Sequence, residues 1–229
     1  SPGWFSSSSL SCPCLLDGLA TRSCHAGGVP YTALPAASAW RHRDARDGFE
    51  VMYASESAER VGGPRVEGHR LDGCTTAVEA GAAWVVEYAI EVDALWRTRR
   101  AMVACRTSDG VRQVHIEADG RGHWTVDGEP VPALDGCLDI DLESSAVTNL
   151  LPLRRLDPEV GQAVPAPAAY VRVPGLGVER LEQQYARLPD ENDRRRFDYR
   201  APAFDTACRL VVDSAGLAID YPGLAMRVA

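Results

Sequence analysis

Short segments of alternating apolar and polar residues, separated by turn dipeptides, recur along most of this 229-residue chain. The clearest segment is 84–93, in which Val86, Tyr88, Ile90 and Val92 stand at every second position. Side chains of a strand point alternately to the two faces of a sheet, so this period predicts a half-buried strand. About a dozen such strands are too many for a flat open sheet. The chain is therefore predicted to be mainly β, with a large curved antiparallel sheet or half-closed β-barrel and one short helix.

The predicted strands are 48–55, 84–93, 98–106, 111–118, 123–126, 138–143, 168–173, 196–200, 204–213 and 217–221. Residues 61–64, Val-Gly-Gly-Pro, predict a turn or a loop that leads to 68–76, whose structure the sequence leaves open. The segment 178–188 fits both a helical stripe and one face of a strand. Its neighbours in the chain are strands, which favours the strand.

The short helix is predicted directly after the strand at 138–143. Ser144 and Ser145 are residue types that cap helix N-termini, and the helix is expected to run through Asn149. Pro152 is expected to end it, because proline lacks the backbone donor and clashes with the preceding turn. A helix this short is stable only when it packs on the sheet.

The chain divides into two parts by composition. Residues 1–37 are rich in Ser, Pro, Gly, Ala and Cys without a sustained period, which predicts a disordered or separate leader. Residues 38–229 show no internal repeat and no second domain, so they are predicted to form a single domain.

Charge and cysteine usage exclude several classes of function. The net charge is -8 and the pI is about 5.2, which disfavours binding to nucleic acid and to anionic lipid surfaces. The chain has no 18-residue apolar run and no basic start followed by an apolar core, so neither a membrane-spanning helix nor a secretory signal is predicted. Seven cysteines without a CxxC pair favour a reducing compartment, and we expect a cytoplasmic protein.

No metal or other cofactor is expected. The group Cys12, Cys14, Cys24 and His25 has a spacing that matches no common zinc site. The chain also lacks the GxSxG motif of a hydrolase and the glycine-rich motifs of nucleotide-binding folds.

An acidic stripe marks the strand at 138–143. Asp139, Asp141 and Glu143 share one face, with neighbouring Cα atoms roughly 7 Å apart. Three interpretations remain open: ion pairing with arginines, a general acid and base pair of the inverting glycosidase type, and metal binding. Ion pairing is the interpretation that the residue types favour most.

Arginines and tryptophans supply the remaining candidates. The guanidinium group binds phosphate or carboxylate bidentately, yet each arginine also has acidic neighbours available for internal pairing. The arginines concerned are Arg97, Arg99, Arg100, Arg154 and Arg155. The tryptophans are Trp4, Trp40, Trp84, Trp96 and Trp124, which stack on sugar rings or fill a core.

The run from Leu134 to Leu156, LDGCLDIDLESSAVTNLLPLRRL, resembles the hallmark of the bacterial "Putative glycolipid-binding" family: Leu-Asp-Gly, an Asp-x-Asp strand, then Thr-Asn-x-Leu-Pro-hydrophobic-Arg-Arg-Leu. Further segments that resemble the family occur in the family's order along the chain: 86–99, 119–128, 184–185 and 212–223. The resemblance therefore covers roughly residues 40–228. The chain departs from the family at Val147, where an aromatic residue is usual.

The resemblance implies a single domain on a large curved antiparallel sheet, similar to lipoprotein carriers. The protein is accordingly predicted to be a non-catalytic carrier or sensor of a lipid or glycolipid, with an apolar tail in a cavity of the curved sheet. The alternatives are an enzyme acting on a sugar or lipid headgroup through Asp139 and Asp141, and a purely structural role for the motif. The predicted ligand-binding residues are Trp96, Arg97, Arg99, Trp124, Asp139, Asp141, Asn149, Arg154, Arg155 and Tyr185.

Overall fold

The computed structural model describes residues 30–44, 46–59 and 66–229. Its strands are β1 (Ala37–His42), β2 (Asp47–Glu59), β3 (Val66–Glu79), β4 (Ala82–Asp93), β5 (Thr98–Thr107), β6 (Gly110–Ala118), β7 (Trp124–Val126), β8 (Glu129–Pro130), β9 (Asp139–Leu142), β10 (Ala163–Pro165), β11 (Ala168–Val171), β12 (Val178–Leu181), β13 (Gln184–Glu191), β14 (Arg194–Ala201), β15 (Thr206–Val212), β16 (Ala218–Tyr221) and β17 (Ala225–Arg227). One α-helix, α1 (Leu150–Leu156), is present in this part of the chain.

Fourteen strands form one antiparallel sheet, ordered β10-β13-β14-β15-β16-β17-β1-β2-β3-β4-β5-β6-β7-β8. The period of two decides which face each residue occupies. In β2, Glu50 and Met52 are fully buried, whereas Phe49 and Tyr53 on the other face are 51% and 61% exposed. The mainly β prediction with a large antiparallel sheet is confirmed, and β10 and β8 remain as edges, so the sheet does not close.

A second, three-stranded sheet covers the inner face of the large one. Its order is β12-β11-β9, and β9 and β11 run parallel, an arrangement that the sequence analysis did not anticipate. All four residues of β9 and all four of β11 are buried, as expected for strands covered on both faces. Apolar residues of β9, β11 and α1 share one core with those of β3 to β6.

The helix prediction was correct in number and wrong in position. Residues 144–149 form turns, and α1 begins at Leu150. Pro152 does not end the helix but lies in its first turn, where the backbone N–H has no helical partner and proline is tolerated. Asn149 stands at the N-cap position without capping the helix through its side chain.

Two segments that the sequence left open are strands. The stretch 68–76 lies inside β3, which pairs with β2 along its whole length. The segment 178–188 is a strand as predicted, but it is divided between β12 in the small sheet and β13 in the large sheet. The predicted turn at 61–64 lies outside the described residues.

Residues 30–36 of the predicted leader contact the domain. The Thr32 backbone N–H donates to the Ser214 carbonyl at 2.9 Å, and the Ala54 N–H donates to the Ala36 carbonyl at 3.0 Å. The rest of the predicted leader, residues 1–29, lies outside the described residues. Among the residues with a described structure, no helix is long and apolar enough to cross a membrane.

Candidate functional site

A half-open cleft of about 560 Å³ lies between the two sheets. One wall is formed where the β14–β15, β16–β17 and β1–β2 connections meet at the same end of the large sheet. The other wall is formed by the carboxyl ends of β9 and β11 and by the turns after β9. A volume of this size is within the range of small-molecule sites.

Aromatic side chains from four elements line the cleft. They are Tyr170, Tyr199, Phe204 and Tyr221. The rings of Tyr199 and Tyr221 meet edge to face at 6.0 Å between centroids, and Tyr170 lies 5.2 Å from Phe204. Phe204 is 36% exposed and therefore stands at the mouth.

Polar side chains complete the lining through a buried hydrogen-bond network. The Thr148 hydroxyl donates to Asp141 at 2.6 Å, and the Tyr185 hydroxyl, behind the wall, donates to the Asn149 Oδ1 atom at 2.7 Å. Tyr199 donates to the Gln183 Oε1 atom at 2.9 Å. Because Tyr185 holds the Asn149 carbonyl, the orientation of the Asn149 amide in the cleft is fixed.

Burial sets the protonation of the lining groups. It raises the pKa of Asp141 to about 6, the charge of Asp139 adds to the rise, and the hydrogen bond from Thr148 opposes it. Burial likewise raises the pKa of Tyr199 and Tyr221 far above neutrality. The cleft thus presents neutral phenols and, in Asp141, a carboxyl group with a pKa of about 6. Glu143 and Asp205 also line the cleft.

Asp139, two residues before Asp141 on β9, does not line the cleft. It is fully buried and accepts two hydrogen bonds from Arg155, at 3.0 Å from Nε and 2.5 Å from a terminal nitrogen. Burial raises the pKa of Asp139, and the contact with Arg155 opposes that rise. Asp139 and Arg155 therefore form the internal ion pair that was one of the open interpretations.

Two other predicted site residues, Trp96 and Arg154, line a separate pocket of about 310 Å³. The Arg154 guanidinium lies 4.3 Å from the centroid of the Trp96 ring, and His69 stacks on Trp96 at the same distance. Arg154 also donates to the Thr32 carbonyl. The structure thus separates Trp96 and Arg154 from Asp141 and Asn149.

The remaining predicted residues are held by neighbours outside the cleft. Trp124 is buried and donates to the Cys137 carbonyl at 2.9 Å. Arg97 pairs with Asp93 at 2.8 Å, and Arg99 lies 3.9 Å from the same carboxylate. The contacts of Arg97 and Arg99 with Asp93 stabilise the β4–β5 connection.

Sequence reasoning missed most of the cleft. Tyr170, Tyr199, Phe204, Tyr221 and Arg46 were not predicted as site residues. The alternation in β14 places Phe197 and Tyr199 on one face, a local signal for burial. No local signal indicated that residues so distant in sequence share one cleft.

Comparison with known proteins agrees with the fold. The sequence profile of the family described as "Putative glycolipid-binding" matches residues 37–227. A DUF1089 family protein from Pseudomonas aeruginosa, whose crystal structure is known, is 34% identical with a TM-score of 0.63, over 76% of this chain and 92% of that protein. No curated protein matched the chain. This chain therefore belongs to the "Putative glycolipid-binding" family.

Proposed function

We propose that the protein binds a glycolipid as a non-catalytic carrier or sensor, and that the cleft receives the sugar headgroup. The observation that carries this proposal is the lining itself, which combines aromatic rings with fixed hydrogen-bonding groups. Sugar rings present C–H faces that stack on aromatic rings and hydroxyls that need donors and acceptors. Apolar walls with a few oriented polar groups are typical of small-molecule sites.

Within the cleft, Asn149 and Asp141 are the proposed contacts for sugar hydroxyls. The Asn149 amide is held by Tyr185, so a hydroxyl finds it already oriented and binding costs little side-chain entropy. Tyr199 and Tyr221 are the proposed stacking surfaces. Tyr185 acts as a positioning residue behind the wall.

For the apolar tail we propose a path over the mouth of the cleft. The second sheet and α1 pack against the inner face of the large sheet through two apolar clusters. Phe204, at the mouth, is an apolar surface that a chain leaving the cleft would contact. We also propose a cytoplasmic location, which the cysteine pattern supports because seven cysteines without a CxxC pair fit a reducing compartment.

Native mass spectrometry of gently purified protein, followed by lipid extraction, tests the proposal directly. We expect a glycolipid to copurify, and monoglucosyl diacylglycerol in detergent micelles to bind. Tyr221→Leu should weaken this binding at least tenfold. The matched control is Tyr53→Leu, on the exposed outer face, which should change binding less than twofold. Absence of any bound or binding glycolipid contradicts the proposal.

One observation favours the enzymatic alternative: Asp141 lines the cleft with a pKa of about 6, suited to a general acid near neutral pH. Asp139 is paired with Arg155, so it is not available as the second carboxylate of a general acid and base pair. Asp141→Asn separates the two functions. Intact glycolipid binding with abolished glycoside hydrolysis indicates an enzyme, and no hydrolysis by the wild type indicates a binding protein.

A further inference from the structure

Arg46 is a buried cation at the end of the cleft farthest from Phe204. It precedes β2, whereas Phe204 lies between β14 and β15, and four strand spacings separate β15 from β2. At about 4.8 Å per spacing, roughly 19 Å along the curved sheet separates the two positions. Arg46 is only 6% exposed and lines the cleft.

The Arg46 guanidinium has fewer partners than its burial requires. Its Nε and Nη1 atoms are buried without a hydrogen-bond partner. The nearest acidic contact is Glu79, whose carboxylate lies 3.7 Å from Nε, and the Trp84 ring lies 5.2 Å away. A buried charge without hydrogen bonds is costly, which indicates a group that a ligand completes.

His42 is a second buried group near Arg46. Burial, followed by the charge of Arg46, lowers the pKa of His42 to about 4, and a hydrogen bond with the Leu224 backbone opposes this shift. The imidazole is therefore neutral at pH 7, and a neutral imidazole does not repel an anion.

The carboxyl groups near Arg46 pair with it only weakly. Glu79, at 3.7 Å, is partly exposed to solvent. Glu50 accepts its hydrogen bonds from Tyr88 at 2.8 Å, from the Ala146 N–H at 2.8 Å and from Ser145. Burial raises the pKa of Glu50 to about 7, which weakens its charge near neutral pH. Asp141, with a pKa of about 6, lines the opposite wall together with Glu143, and Asp205 lines the cleft beside Phe204.

We propose that Arg46 forms an anion subsite, and that the headgroup bound in the cleft carries a phosphate or carboxylate at its inner end. This inference rests on the proposed glycolipid function and specifies its ligand class as acidic. The net charge of -8 does not oppose it, because a buried local cation acts on a ligand inside the cleft more strongly than distant surface charges do.

Binding of matched lipids tests the subsite. Monoglucosyl and glucuronosyl diacylglycerol differ only by a hydroxymethyl group against a carboxylate. Phosphatidylinositol 4-phosphate carries a phosphate on the ring, away from the tail, that phosphatidylinositol lacks. We expect the wild type to bind at least one acidic lipid at least tenfold more tightly than the neutral one. The acidic lipid that binds tightly also identifies which oxyanion the subsite accepts. Equal binding of neutral and acidic lipids overturns the inference.

Variants of Arg46 test whether this residue causes the preference for the acidic lipid. Arg46→Gln should remove the preference for the acidic lipid and change binding of the neutral lipid less than twofold. Arg46→Lys retains the charge and should keep part of the preference. Arg41→Gln, on the exposed side of the same strand region, is the matched control for net charge and should have no effect. Equal loss of both lipids in Arg46→Gln indicates a structural role and overturns the inference.

A titration with inorganic phosphate tests the anion subsite independently of the proposed glycolipid function. In protein labelled with ¹⁵N-histidine, phosphate should shift the His42 resonances saturably and raise its pKa, and Arg46→Gln should abolish both effects. If no glycolipid binds but phosphate does, the anion subsite stands and the glycolipid function fails. If glycolipid binds but phosphate leaves His42 unchanged and no acidic lipid is preferred, the function stands and the subsite fails.

Discussion

Asp139 and Asp141 lie two residues apart on the short strand β9, but their surroundings differ. Asp139 is enclosed and paired bidentately with Arg155, whereas Asp141 faces the cleft with Thr148 as its hydrogen-bond donor. Both are buried, yet a cation accompanies only Asp139. A carboxylate that is neutralised within the protein stabilises the fold, and one left without a cation at a cleft remains available to a ligand.

The comparison changes the meaning of the acidic stripe. The sequence placed Asp139 and Asp141 on one face and therefore suggested a joint site. The structure assigns Asp139 to the framework and Asp141 to the cleft, because Arg155 on α1 reaches only the first of them. Four predictions test this difference between the framework and the cleft, beginning with the largest expected effect.

Arg155→Ala should have the largest effect on stability. It leaves Asp139 buried without its cation, and removal of one partner of a buried pair costs about 3–5 kcal/mol. Urea unfolding at pH 7 measures this loss. The double variant Asp139→Leu with Arg155→Met removes both charges and should recover most of it. A loss below about 1 kcal/mol for Arg155→Ala would show that the pair is not structural.

Glu50→Gln should alter the pH dependence of stability. The folded state binds the Glu50 proton more tightly than the unfolded chain does, since its pKa is about 7 instead of 4.5. The free energy of unfolding of the wild type should therefore fall as the pH rises from 4.5 to 7, by about 3 kcal/mol from this group. Glutamine can accept from the Ala146 N–H and donate to the Tyr88 and Ser145 hydroxyls.

The measurement is the difference in unfolding free energy between wild type and Glu50→Gln at several pH values. This difference isolates Glu50 from Asp141 and His42, which titrate in the same range. A difference that does not change with pH would contradict the raised pKa of Glu50. Glu117→Gln, at an exposed position on β6, is the matched control for the loss of one negative charge.

Asp141→Asn should act in the opposite direction to Asp139→Asn at pH 8. The ionised Asp141 is destabilising because its pKa is raised from 3.8 to about 6, so its replacement should stabilise by about 3 kcal/mol. Burial also raises the pKa of Asp139, but Asp139→Asn should destabilise, because leaving the Arg155 guanidinium without its carboxylate costs more than removal of the buried charge gains. Thermal unfolding of the two variants side by side measures the contrast. Equal signs would remove the distinction between the two ends of β9.

Arg154→Gln should have the smallest effect. The contact of Arg154 with Trp96 is a cation–π interaction at a partly exposed site, worth about 0.5–1 kcal/mol. We expect a stability loss of this size and unchanged glycolipid affinity, because the Trp96 pocket is separate from the cleft. Weaker glycolipid binding in Arg154→Gln would move the ligand to that pocket.

Part of the fold was predictable because its signals are local. The alternation in β4 and the Asp-Gly turns indicated antiparallel strands, and those strands are present. The position of α1 was not predictable, since serines that resemble helix caps instead form turns in which Ser145 contacts Glu50. The division of 178–188 between two sheets also left no periodic signal.

The candidate site was predictable only where the family motif named its residues. Asp141, Asn149 and Tyr185 lie in or directly behind the cleft. Tyr199 and Tyr221 come from strands whose periodicity reports burial but not the identity of the neighbours across the cleft. Arg46 carries no motif, and its missing hydrogen bonds become visible only when the residues around it are known.

The sequence by itself determined the β architecture, the acidic balance and the family motif, because alternation, composition and motif spacing are properties of neighbouring residues. The tertiary structure decided which aspartate pairs with Arg155, where the cleft opens and which cation lines its inner end. Those outcomes depend on strand order and on the docking of β9, β11 and α1 against the large sheet. Such long-range contacts leave no trace in local periodicity.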